Sequence, residues 1–308
     1  MTTGDRSIAF FGLGNMGLPM AANLLSAGYA VRGYDPVPTV AASARAAGLE
    51  VAETPAEATI GADAVITMLP SGQHVLDAYQ RGAGIIDTVA NGTLVVDCST
   101  IDIADARALH ELAGGAGLPS LDAPVSGGVV GATAGTLTFM VGGAPEALEA
   151  AEPIFAAMGK RTVHCGDAGA GQAAKMCNNM ILAASMIAVA EAFVLAEALD
   201  LSPQALYDVV STSSGQCWAV TANCPVPGPV PTSPANRDFQ GGFATSLMAK
   251  DLRLAASAAA GGEVDIAIGR TALAIYEDLV TTVPDRDFSV VIDAIRRRSG
   301  TTEGTGTA

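Results

Sequence analysis

The sequence predicts an α/β chain, with a doubly wound sheet domain over residues 1–165, an all-α domain over 166–298 and a disordered tail at 299–308. Three observations carry that expectation. A length of 308 residues exceeds what one hydrophobic core usually organises, so two domains are expected. Up to about residue 165, short apolar runs alternate with helix-like stretches, which is the rhythm of βαβ units and a parallel sheet. Beyond Gly166 the strand-like runs give way to long helical patterns.

Residues 8–11, 29–34, 64–69 and 94–98 are too short and too uniformly apolar for exposed strands, and are predicted as buried ones. Helices are expected between them, at 16–27 and 103–113 for instance. The stretch 172–199 is apolar on nearly every face, as in a helix buried between domains or subunits. A membrane span is the rival reading. Lys175, Asn178, Asn179, Glu191 and Glu197 interrupt the run, and no membrane association is expected. Further helices are predicted at 202–211, 243–260, 267–281 and 287–297, with a Pro/Gly loop at 223–242 and a small, polar tail.

A formal net charge of −15 repels phosphate backbones and anionic lipid, and Arg296, Arg297 and Arg298 form the one local cluster of basic residues, so nucleic acid is not an expected partner. The five cysteines are scattered without a CxxC pair, which fits reduced thiols. Three well-separated histidines suggest no metal site. The N-terminus runs within a few residues into a strand-like segment with a glycine motif, leaving no room for a removable signal, so a cytoplasmic location is expected.

That motif is Gly12-Leu13-Gly14-Asn15-Met16-Gly17, after the first strand and opening the first helix. Two glycines allow a tight turn and a close backbone approach to a pyrophosphate on the helix N-terminal amides; the third permits close helix–strand packing. Asp35 ends the second strand about 20 residues on, where a carboxylate binds the adenosine ribose hydroxyls. It would repel a 2′-phosphate, and no arginine immediately follows, so NAD is predicted over NADP; the plainer alternative is that Asp35 begins the turn at Pro36. Met68, Leu69 and Pro70 end the fourth strand, and Ser99 and Thr100 the fifth, on the edge where open α/β sheets bind ligands. Strand stop for Pro70 and helix N-cap for Thr100 are the bland alternatives.

The chain has only three lysines, Lys160, Lys175 and Lys250, against 13 arginines (16 − 3). Lys175 sits in Gly169-Ala-Gly171-Gln-Ala-Ala-Lys175-Met-Cys-Asn178-Asn179 at the start of the long apolar helix, one turn before Asn179. A lysine there opposes the helix dipole and is costly to bury, so a function is expected. Oxidising an alcohol by hydride transfer needs a group to take the hydroxyl proton, which lysine can do once burial lowers its pKa and arginine cannot. In Asp122-Ala-Pro-Val-Ser126-Gly127-Gly128, successive amides and a serine hydroxyl can hold a carboxylate. Lys250-Asp251, on a helix after Gly241-Gly242-Phe243, could close the site from the second domain, or be an exposed helix pair.

Together these segments resemble the β-hydroxyacid dehydrogenase family, and within it the 3-hydroxyisobutyrate dehydrogenase group. The matching stretches are FFGLGNMGLPMAANL (10–24), TMLPSGQHV (67–75), VVDCSTID (95–102), DAPVSGGVVGATAGTLTFMVGG (122–143), GAGQAAKMCNNM (169–180), SSGQCW (213–218), NCPVPG (223–228) and GGFATSLMAKDLRLA (241–255). The resemblance implies a Rossmann-type domain followed by an all-helical one, the long helix contributing to a homodimer or homotetramer. By matching it implies Lys175 as the catalytic lysine, Asn179 as orienting it or the substrate, and Ser126, Gly127 and Gly128 as carboxylate binders. Lys250 matches a lysine that approaches the cofactor, with Asp251 its neighbour; Leu69, Pro70 and Thr100 match NAD contacts, and His74 stands where some relatives place asparagine. Trp218 and Phe243 are expected near the substrate. The implied reaction is NAD-dependent oxidation of (S)-3-hydroxyisobutyrate, a small β-hydroxyacid, to methylmalonate semialdehyde in valine breakdown. Reductases of tartronate or succinic semialdehyde would share fold, glycine loop and lysine, and a non-catalytic nicotinamide-binding protein would share the fold alone.

Overall fold

A computed structural model describes residues 6–300 apart from 81 and 83. Its strands are β1 (Ser7–Phe11), β2 (Ala30–Tyr34), β3 (Glu50–Val51), β4 (Ala64–Thr67), β5 (Leu94–Asp97), β6 (Ser120–Asp122), β7 (Val125–Ser126), β8 (Leu137–Gly143) and β9 (Gly159–Gly166). Helices α1 (Gly17–Ser26), α2 (Pro38–Ala46), α3 (Pro55–Thr59), α4 (Gly72–Tyr79), α5 (Ile103–Gly115), α6 (Gly128–Ala134) and α7 (Pro145–Met158) lie between them. Then follow α8 (Ala170–Ala198), α9 (Pro203–Val210), α10 (Trp218–Thr221), α11 (Thr245–Gly261), α12 (Ala267–Val280) and α13 (Val291–Ser299). The chain divides into two compact units, one up to Lys175 and one from Met176, and α8 begins in the first and continues into the second.

In the first unit the sheet runs β3-β2-β1-β4-β5-β6-β8-β7, with β9 against β8. The strands through β6 are parallel, as expected from their apolar runs. Alternate residues feed two cores. Ile8, Phe10, Ala64, Ile66, Leu94 and Val96 join the cluster on one face, and Ala9, Phe11, Val65 and Val95 that on the other. Each large apolar side chain so enclosed contributes about 1.5–3 kcal/mol, and a sheet covered on both faces has no polar alternation to display.

The far end departs from the expected parallel sheet. β8 runs antiparallel to both β6 and β7, so the sheet is mixed. The segment 122–128, whose glycines were expected to free successive amides, leads through β7 into α6 and then β8. Its reversal depends on Gly127 and Gly128, with φ of +138° and +61°, and on Gly135 at +63° ending α6.

In the second unit, α8 to α13 enclose a single core that includes Phe193, Met248, Tyr276, Phe288 and Ile292. The loop at 223–242 holds a short 3-10 turn, Pro234–Arg237. Its anchor is Asp287, which accepts from Asn223 Nδ2 at 3.0 Å, Ser289 Oγ at 2.6 Å and Phe243 N at 2.7 Å. Ser299, expected in the tail, ends α13, and Gly300 caps it in the left-handed region. Residues 301–308 of the expected tail lie outside the described residues. Despite its polar interruptions, α8 is by length and composition apolar enough to cross a membrane; half of its most apolar window is buried within the protein, as in a core helix.

Candidate active site

β1 ends at Phe11 and the chain turns through Gly12, whose φ of +88° favours glycine. A methyl group there would collide with the Met68 carbonyl beyond β4, and one on Gly17 with the Gly12 carbonyl. At Gly14 it would meet nothing within 4 Å. The first and third glycines therefore close backbone upon backbone, while the second, with exposed Asn15 beside it, leaves the start of α1 open. That helix has no acidic residue in its first turn and no side-chain cap; the Leu18 and Met20 amides donate to Gly14 O and Met16 O and Pro19 has no N–H, so the positive end of the helix dipole is what the turn offers an anion. A dinucleotide pyrophosphate fits this cradle, flanked by Leu13 and Met16. Asp35 accepts from Leu13 N through Oδ2 and from Val37 N through Oδ1, both at 2.9 Å. It both begins the turn and ties the glycine loop to the end of β2, and carboxylate oxygens that accept one bond each can accept another.

The neighbouring strand ends meet in a buried polar cluster. Asp97, fully buried, accepts at Oδ1 from Thr67 Oγ1 at 2.7 Å and Ser99 Oγ at 2.6 Å. The Ser99 hydroxyl in turn accepts from Leu69 N at 2.8 Å. Burial pushes the Asp97 carboxyl above the usual carboxylate range, against the opposing pull of the Ser99 and Thr67 bonds. The backbone at Leu69 is therefore fixed from below, and Leu69 and Thr100 are half-buried while Pro70 is exposed. Thr100 does not cap α5; Asp102 does, accepting from Ala104 N. His74 is exposed in the first turn of α4, where its Nδ1 lies 2.7 Å from the Oγ of the capping Ser71.

Asp122 ends β6 and caps the start of α8. Its Oδ1 accepts from Gly169 N at 2.8 Å and its Oδ2 from Gln172 N at 3.0 Å. His110 donates to Oδ1 through Nε2 at 3.0 Å, leaving Nδ1 to accept from the Ser120 hydroxyl at 2.8 Å. A negative charge at a helix N-terminus offsets the dipole that a lysine in that turn opposes. Lys175, one turn further on, is buried, and its Nζ donates to Val125 O at 2.8 Å. Val125 directly precedes Ser126, Gly127 and Gly128, and a methyl group on Gly128 would meet nothing within 4 Å. The Lys175 amine and the Ser126-Gly127-Gly128 segment are thus neighbours in the first unit.

In the second unit Asn179 is buried, donates through Nδ2 to Asp251 Oδ2 on α11, and accepts from Asn178 Nδ2 at 2.9 Å. Lys250 is half-buried beside the buried Asp251. Phe243 lies at the edge of this unit's core, its ring edge-on to Phe288 at 6.0 Å. Trp218, at the start of α10, is 54 % exposed and so is no core residue. Among the described residues no cluster of His, Cys, Asp and Glu suits a metal ion.

Residues 7–166 match a family model described as the NAD binding domain of 6-phosphogluconate dehydrogenase, and residues 169–295 one described as NAD-binding of NADP-dependent 3-hydroxyisobutyrate dehydrogenase. A probable 3-hydroxyisobutyrate dehydrogenase of Mycobacterium tuberculosis is 53% identical over 293 residues, 95% of this chain and 99% of the relative. The chain belongs to the 3-hydroxyisobutyrate dehydrogenase family. An NAD-dependent L-serine dehydrogenase of Pseudomonas aeruginosa is 49% identical over 287 residues, covering 93% of this chain and 96% of that one. A solved structure titled as the M. tuberculosis 3-hydroxyisobutyrate dehydrogenase with L-serine aligns at TM-score 0.90 over 94% of this chain and 99% of that one, with 53% identity. As a 3-hydroxyisobutyrate dehydrogenase family member, the chain is an oxidoreductase with an NAD-binding domain.

Sequence reasoning missed two supports of this family site. Asp97 left a trace, an acid ending an otherwise apolar strand. Gln172 left only its place in an apolar helix, because its partners are backbone groups 71 and 73 residues away.

Proposed function

We propose that the chain oxidises (S)-3-hydroxyisobutyrate to methylmalonate semialdehyde with NAD, as a cytoplasmic homodimer or homotetramer. The observation that carries the reading is the Lys175 amine, 2.8 Å from Val125 O and next to Ser126-Gly127-Gly128. An acid whose carboxylate is held by that loop carries its β-hydroxyl on the next carbon but one, a short reach from the amine. NAD, when bound, takes the hydride from the carbinol carbon. The residues of the chain do the rest. Neutral Lys175 donates one N–H to Val125 O, which directs its lone pair, and takes the hydroxyl proton as the carbonyl forms. Asn179, fixed by Asp251 and Asn178, orients the groups at the helix start. Asp35 supports NAD over NADP, since a 2′-phosphate would approach its carboxylate. Exposed Ile181 and Leu195 on α8, with Leu199 just beyond its end, support a subunit interface.

L-serine is the second reading, favoured by the serine dehydrogenase relative and by the solved relative titled with L-serine. It differs in carrying an ammonium where hydroxyisobutyrate carries a methyl group. Steady-state comparison of (S)-3-hydroxyisobutyrate, L-serine and 3-hydroxypropionate with NAD tests the proposal. The expected order places hydroxyisobutyrate at least about tenfold ahead in kcat/KM, the scale of one methyl group in an apolar pocket. Serine in first place overturns it.

A further inference from the structure

Gln172 is fully buried in the first turn of α8, and all its polar groups are directed. The side-chain Nε2 donates to Ser99 O at 2.8 Å, and Oε1 accepts from Ile101 N at 3.1 Å. The amide orientation follows from the partners, since a carbonyl needs the NH2 and an N–H needs the oxygen. The two bonds straddle Thr100, as a paired strand would. The Gln172 backbone N–H is held by Asp122. Lys175 lies three residues on, the spacing that puts two side chains on one helix face.

From this arrangement we infer that Gln172 is a positioning residue that clamps the cofactor-facing Thr100 segment to the helix bearing Lys175. The clamp extends further, because Ser99 also receives the Leu69 amide through its hydroxyl. One side chain therefore sets the distance from the backbone at Leu69 and Thr100 to the amine, the distance that hydride and proton transfer must share. A leucine would fill the same space and pair with neither backbone group. Substitution therefore loosens the strand edge without emptying the core. The inference rests on the reading that this edge holds NAD.

Two variants test it, Gln172→Leu and Gln172→Glu, each read by NADH binding fluorescence, kcat and thermal unfolding of the free protein. Gln172→Leu should fold, bind NADH about tenfold more weakly and lose about tenfold in kcat, the scale of one or two buried hydrogen bonds. A protonated glutamic acid can make both original bonds, whereas its carboxylate would face the Ser99 carbonyl. Gln172→Glu should therefore bind NADH near parental strength in acid and progressively less as pH rises, with an ionisation the parent lacks. Should the leucine variant fail to fold, the glutamate titration decides. A folded leucine variant within twofold of the parent in NADH affinity and kcat overturns the inference. So does a glutamate variant whose pH profile matches the parent's, and so does failure of both variants to fold. A parent that binds NADH but oxidises no β-hydroxyacid would defeat the proposed function and leave the NADH readout standing.

Discussion

The proposed proton transfer rests on one atom, Lys175 Nζ. Arginine at that position keeps a long side chain able to donate to Val125 O but cannot release its proton at working pH. Lys175→Arg is expected to bind NADH within about twofold of the parent while kcat falls by about 10²–10⁴, the range of general-acid/base contributions. Parental turnover in single-turnover and steady-state assays would remove Lys175 from the proton path. The lysine was legible because it breaks an apolar helix in a chain that otherwise uses arginine. The roles of Asp122 and Gln172 were not, because each acts on backbone groups remote in sequence and no local pattern records such a partner; Asp97, which holds the Thr67 and Ser99 hydroxyls, left only the trace of an acid ending an apolar strand.

At the scale of elements, the turn from β1 into α1 shows how tightly backbone geometry binds fold to site. Gly17 faces the Gly12 carbonyl with no room for a methyl group. Gly17→Ala should cost at least about 1–3 kcal/mol of stability, as overpacking a close contact does, and should weaken NADH binding together with it. Denaturant titration with an NADH titration checks both, and loss of neither would mean the turn can open freely. Apolar runs made the parallel strands readable, since both faces are covered. They did not reveal the antiparallel β8, because a run such as Leu137–Gly143 reads alike in either direction, and the turns at Gly127, Gly128 and Gly135 that return it are not written in its own residues.

For the molecule as a whole, a net charge of −15 and the Asp35 carboxylate act in the same sense against an extra phosphate. Ligands that bind only the folded state raise its stability by RT ln(1 + [L]/Kd), about 2.7 kcal/mol at a hundredfold excess over Kd. NADH is therefore expected to raise the melting temperature markedly more than NADPH at equal concentration, and added salt should narrow the gap. An equal or larger shift with NADPH would contradict the assignment of Asp35.

The passage of α8 from one unit to the other has a practical outcome. Lys175 and Met176 are successive residues in the same rod, so the border between compact units falls inside unbroken helical hydrogen bonding. Separating the halves there would sever i to i+4 bonds and leave the amine on a frayed stub of less than two turns, too short to hold its shape. A dissection that keeps the helix whole on the side of the second unit must instead cut before Gly169, and it then parts the amine from the Val125 carbonyl to which it donates.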